Sequence, residues 1–137
     1  MRRVFVDTSA FVALRNKAER EHEAARAART ALVVEARLFT TNYIFAETFT
    51  TLMMRVGRAE AIAWGRGLRE TRAIELLRVD EGIEEEAWRI LESHADKTWS
   101  YVDAVSFAVM DREGSSEAFT FDRHFAQRGH RMLPPGV

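Results

Sequence analysis

The chain of 137 residues contains no cysteine, which excludes disulfide bridges and any metal site built on thiolates. That absence fits a reducing compartment. Its only prolines are Pro134 and Pro135 at the far end, and no repeat, low-complexity tract or linker interrupts the rest. One domain over residues 1–137 is therefore expected. No stretch approaches the roughly 20 apolar residues needed to span a bilayer. The opening MRRVFVDTSAFVAL has its apolar run broken by Asp7 and lacks a secretory cleavage pattern, so a cytoplasmic protein without a membrane partner is expected. Lysine is scarce, with only Lys17 and Lys97. No glycine-rich segment ending in lysine is present, which excludes a P-loop phosphate cradle.

What is present is ordinary in bulk and uneven in detail. Hydrophobic residues make up 47% and charged residues 30%, enough for a packed core without staples. The net charge is −1, but acids crowd residues 80–103, while residues 123–137 hold Arg123, Arg128 and Arg131 and no acid. Such asymmetry can set positive potential beside an acidic cleft, and these three arginines are candidate contacts to a phosphate backbone. Taken singly, each reads more readily as a solvated surface charge.

Periodicity gives the organisation. VFV before Asp7 reads as a buried strand, with a helix from Thr8 to about Leu14. A second helix is expected over 19–34, a strand over 38–41, and a third helix from Tyr43 to Val56, stopped by Gly57 as a left-handed cap. A helix over about 58–71 and a strand over 74–79 follow. Asp80 caps a helix to about 95, and Ser100 caps one to about Arg112. Strands over 117–121 and 131–133 close the chain, with a short helical segment HFAQR between them. Strands alternating with helices predict an α/β fold: a three-layer sandwich with a mostly parallel sheet of four to five strands and helices on both faces. Ligands in such sheets sit beyond the carboxyl ends of the strands.

Four carboxylates fall at that edge. Asp7 and Asp122 each follow a strand, and Glu47 and Asp103 lie in the first turns of helices. Each has a local explanation. Asp7 and Asp122 suit helix N-caps, Asp103 can complete a capping box with Ser100, and Glu47 can face solvent. Glu47 is the least easily dismissed, because it stands beyond the third helical position among Ile44, Phe45 and Phe49, where an acid needs a partner. Four separate caps need not converge, whereas a metal site requires it. Two carboxylates about 5 Å apart repel by roughly 3 kcal/mol at an effective dielectric near 20, so four in one cleft protonate, spread or bind cations. All-oxygen ligation selects Mg²⁺ or Mn²⁺ over zinc and points to metal-assisted phosphodiester hydrolysis.

VDTSA at 6–10, NYIFAET at 42–48, SYVDAVSFAVM at 100–110 and TFDRHF at 120–125 resemble, in order and spacing, the motifs of PIN-domain ribonucleases. They most resemble the small VapC-type toxins of toxin–antitoxin operons. The resemblance covers nearly the whole chain. It implies a PIN-like fold and an Mg²⁺- or Mn²⁺-dependent endoribonuclease whose metal quartet is Asp7, Glu47, Asp103 and Asp122. Cleavage would leave a 3′-hydroxyl and a 5′-phosphate. Thr8, Ser9 and Thr120 match hydroxyl residues that orient the acids, and Ser100 stands beside Asp103 in the same supporting role. A cognate antitoxin and a homodimer are implied as partners.

Other residues are less telling. His124 is read as helix-start packing rather than as a site residue, and His22, His94 and His130 have no metal-ligand spacing. Trp64, Trp88 and Trp99 fit packing better than base stacking. A phospho-receiver domain needs a lysine near its last core strand, and none follows Lys97. A haloacid-dehalogenase-like phosphatase needs an aspartate where Ser9 stands. The rival from another class is a catalytically silent RNA-binding or scaffold module on the same fold, against which the presence of all four acids argues.

Overall fold

The computed structural model describes residues 1–136. Five strands form one sheet: β1 (Arg2–Val6), β2 (Ala36–Thr41), β3 (Ile74–Leu77), β4 (Glu117–Phe119) and β5 (Arg131–Leu133). Their order is β3-β2-β1-β4-β5 and every pairing is parallel. The expected mostly parallel sheet is therefore parallel throughout. Around it lie α1 (Thr8–Arg15), α2 (His22–Glu35), α3 (Asn42–Arg55), α4 (Arg58–Glu70), α5 (Glu81–Ser93), α6 (Tyr101–Glu113) and α7 (His124–Gln127).

The core follows from the apolar runs. Val4, Phe5 and Val6 are all buried, as befits a central strand covered on both faces. Phe5 packs edge-on against Phe39 at 5.5 Å and stacks with Phe125 at 6.0 Å, while Phe107 meets Phe125 at 5.1 Å. Helix α6 is buried continuously from Asp103 to Met110, so it has no solvent face over that span. Trp64 and Trp99 lie in the core and Trp88 is exposed. No helix among the described residues is long and apolar enough to cross a membrane.

Several boundaries differ from expectation because side chains take backbone groups from the regular elements. Strand β4 ends at Phe119 instead of residue 121, since the Phe121 N–H donates to Ser9 Oγ (2.9 Å) and the Asp122 N–H to Thr120 Oγ1 (3.0 Å). Strand β3 ends at Leu77, and the Val79 N–H donates to Asn42 Oδ1 at 2.9 Å. Gly57 has a positive φ of 135° but an extended ψ of 163°, so it is not the left-handed cap expected. It instead separates α3 from α4, while Gly114 (φ 66°, ψ 29°) ends α6 in the left-handed conformation. Glu47 lies in the second turn of α3, not the first, because Thr41 is the cap and Asn42 opens the helix.

The connectivity fixes where chemistry can occur. From β1 the chain moves outward through β2 to β3, then crosses to β4 and β5 on the other side. The order reverses between β1 and β4, and a crevice opens beyond their carboxyl ends at such a switch point. Asp7 follows β1 there, and Thr120 to Asp122 follow β4.

Candidate metal centre

The cleft at the switch point has a volume of about 840 Å³, and Asp7, Glu47, Asp103 and Asp122 all line it. Asp7 and Asp103 also keep helix-cap bonds. Asp122 accepts the His124 N–H although Arg123, not Asp122, is the cap of α7, and Glu47 is bonded by Thr8 of α1. Capping and clustering are therefore not alternatives.

Asp7 is 5% exposed and caps α1. Its Oδ2 accepts from Ser9 Oγ (2.9 Å), Thr120 Oγ1 (2.9 Å) and, more weakly, the Ser9 N–H (3.4 Å). Burial pushes this carboxyl up to about 6, against the Thr120 and Ser9 hydrogen bonds that favour its charge; the nearby Asp122 adds to the rise. Asp103 completes the capping box of α6. Its Oδ2 accepts the Ser100 N–H at 3.0 Å, and Ser100 Oγ accepts the Asp103 N–H at 3.0 Å. Asp122 Oδ1 accepts the His124 N–H at 2.9 Å. Glu47 Oε1 accepts from Thr8 Oγ1 at 2.6 Å, the partner that its position among apolar residues required.

These bonds share one pattern. Among the described residues, every hydrogen bond to Asp7 and Asp103 falls on Oδ2, that to Asp122 on Oδ1, and that to Glu47 on Oε1. One oxygen of each acid is bonded by the protein and the other takes no hydrogen bond from another described residue. Thr8, Ser9, Ser100 and Thr120 each hold an acid or its helix turn. This arrangement matches hydroxyl support of metal ligands.

The residue that sequence reasoning undervalued is His124. Its Nδ1 lies 2.8 Å from Asp103 Oδ2 and 3.5 Å from Asp122 Oδ1. Potential ligand atoms of Asp103, Asp122 and His124 all lie within 4.8 Å of one another. The usable signal was its place two residues after Asp122, at the start of a helix too short to carry it elsewhere. Asp7 and Glu47 stand outside that tight trio but in the same cleft wall. The donor set, hard carboxylate oxygens with one imidazole alongside, fits a divalent cation.

The three C-terminal arginines part company. Arg123 is exposed and lines the cleft. Arg128 is tied to Asp111 at 3.0 Å. Arg131 opens β5 beside Glu117, at the amino end of the sheet and therefore opposite the cleft. Arg55, which the sequence did not single out, lines the cleft and is held by Glu19 at 2.9 Å.

The profile of the PIN domain matches residues 4–130. The 23S rRNA-specific endonuclease VapC20 of Mycobacterium tuberculosis is 35% identical over 135 residues, covering 96% of this chain and 98% of that protein. The crystal structure of VapC20, described as a sarcin–ricin loop cleaving toxin, superposes with a TM-score of 0.87 at 33% identity, over 93% of this chain and 95% of that one. VapBC2 from Rickettsia felis, bound to a DNA fragment from its promoter, shares the fold with a TM-score of 0.71 at 11% identity, over 95% and 96%.

Proposed function

This chain belongs to the PIN-domain family, and from that premise we propose that it is an endoribonuclease, the toxin of a toxin–antitoxin pair, working through a divalent metal in the four-carboxylate cleft. The observation that carries this reading is that the four acids line one cleft, each with one oxygen bonded by the protein and one free of such bonds.

Asp7, Glu47, Asp103 and Asp122 would hold the ion, which is Mg²⁺ or Mn²⁺ by the hardness of its ligands. When bound, such an ion makes water a nucleophile near neutral pH and polarises a phosphoryl oxygen. The chain's own residues do the rest. Thr8, Ser9, Ser100 and Thr120 fix the carboxylates so that little reorganisation is needed when charge develops. His124 holds Asp103 beside Asp122. Arg123 at the cleft wall offsets the charge of an entering phosphate. Hydrolysis leaves a 3′-hydroxyl and a 5′-phosphate.

The substrate proposed is the sarcin–ricin loop of 23S rRNA, on the strength of the relation to VapC20 across nearly the full length of both chains. A single nuclease domain, a homodimer, an antitoxin that blocks the cleft and a cytoplasmic site of action complete the reading. It is tested by incubating purified protein and ribosomes with Mg²⁺, Mn²⁺ or EDTA and mapping the RNA ends. The expected result is one metal-dependent cut in the sarcin–ricin loop. Full cleavage in EDTA overturns the metal mechanism, and a cut elsewhere overturns the substrate assignment.

A further inference from the structure

A second groove lies away from the acids, between α3, α4 and the end of β3. Phe45, Phe49 and Gly65 lie at its base, and Arg66, Arg69 and Arg78 stand around it. Its volume is about 690 Å³, comparable to that of the acidic cleft. The base depends on Gly65, since a Cβ there would lie 3.3 Å from Phe45 Cζ and 3.8 Å from Phe49 Cδ2. All three arginines are exposed. None is held in an ion pair with another described residue, whereas Arg15, Arg55, Arg112 and Arg128 each are. Glu70 is the one acid in the lining.

A shallow depression on α3 lies between the groove and the acidic cleft. Asn42 lines both the groove and this depression, and Glu47 and Thr51 line both the depression and the acidic cleft. Along α3, Asn42 and Glu47 are five residues apart, about 7.5 Å in rise and about 140° around the axis. A strand whose scissile phosphate sits at the acids reaches this concavity of opposite charge by crossing the exposed side of α3 at Ala46 and Thr50.

We propose that this groove is a second RNA subsite, which takes the backbone flanking the cleaved phosphate. The inference rests on the endoribonuclease reading and adds the surface that supplies affinity. The acidic cleft attracts RNA poorly without metal. Three uncompensated guanidiniums attract phosphates regardless of sequence, and the Phe45 and Phe49 rings offer apolar surface to a sugar or base.

The test compares wild type, an Arg66→Gln/Arg69→Gln/Arg78→Gln variant, and an Arg26→Gln/Arg37→Gln/Arg89→Gln control of equal charge. Binding of a fluorescently labelled sarcin–ricin hairpin is measured by anisotropy in EDTA across a salt series. Cleavage is measured separately in Mn²⁺. The groove variant is expected to lose about 2 from the magnitude of the log–log salt slope, at roughly 0.7 per lost contact. Its KM should rise at least tenfold with kcat changed less than threefold, and the control should follow wild type. If the triple variant melts low, Arg66→Gln and Arg78→Gln alone are read for the same changes. Wild-type slope and KM in the groove variants, or an equal loss in the control, overturn the subsite while wild-type cleavage still stands. A wild type that neither binds nor cleaves RNA overturns the endoribonuclease reading beneath it.

Discussion

His124 Nδ1 and Asp103 Oδ2 are 2.8 Å apart, so the first residue of α7 holds the capping acid of α6 across 21 positions of sequence. The contact joins the two helices whose starts meet beside β4, and it falls on the same oxygen that accepts the Ser100 N–H. His124→Ala is expected to weaken Mn²⁺ binding by 10–100-fold, the usual cost of losing a residue that orients a metal ligand. The fold should survive, since the His124 side chain is 27% exposed and the Ser100–Asp103 box remains. Calorimetric titration of EDTA-stripped protein checks this. Unchanged affinity would make His124 a packing residue only.

Thr8 and Glu47 form the corresponding pair on the other wall. Thr8→Val keeps the shape and removes the donor. An acid left with one partner fewer in a part-buried position is expected to cost about 1–3 kcal/mol in metal-free protein. Cleavage should fall as well, and Thr8→Ser should restore both. Urea unfolding in EDTA and initial cleavage rates in Mn²⁺ measure the two effects. If Thr8→Val cleaves like wild type, Glu47 needs no orientation.

Metal removal gives a third expectation. Mg²⁺ and Mn²⁺ should restore cleavage to EDTA-treated protein, while Ca²⁺ should bind but support little turnover, because its looser coordination positions water poorly. Thermal shift and cleavage assays in the three ions separate binding from turnover. Equal rates in Ca²⁺ would contradict a strict octahedral requirement.

How far the sequence could be read follows from which interactions are local. The caps at Asp80 and Ser100 and the strand before Asp7 rest on local spacing and are found in the fold, and the four acids, read from their places at strand ends and helix starts, line one cleft. The misjudgements concern direction and distance. Arg131 lies nine residues after Asp122, yet β5 runs parallel to β4, so the chain must first return to the amino edge. A three-residue strand, about 10 Å long, then separates Arg131 from the cleft edge. His124 was undervalued because its partner Asp103 belongs to another helix, and no periodicity reports such a contact. The side chains that shorten β3 and β4, Asn42 and Ser9, are likewise distant in sequence from the N–H groups they accept.

The last prediction concerns Asp7, whose burial sets a sign. Its carboxyl is raised from 3.8 to about 6 in the folded protein, mainly by burial. A raised acid binds its proton more tightly when folded, so the folded state carries the extra proton between about pH 4 and 6. Stability from this group is then fully present below pH 4 and declines as pH rises through about 6. The shift corresponds to about 3 kcal/mol. Asp7→Asn removes the titration and can still cap α1. In EDTA the difference in stability, wild type minus Asp7→Asn, should fall between pH 4 and 6.5 and then level off, with the variant the more stable above pH 7. Mn²⁺ should narrow that gap, because a divalent charge beside Asp7 favours the carboxylate, and the ion adds about 2.7 kcal/mol at a hundredfold excess over its Kd. The variant should gain less from Mn²⁺ and should not cleave RNA. The measurement is denaturant unfolding of both proteins from pH 4 to 8, with EDTA or Mn²⁺. A difference curve that rises with pH in EDTA would mean that the Ser9 and Thr120 hydroxyls outweigh burial, and the folded protein would hold no burial cost at Asp7 for the metal to offset.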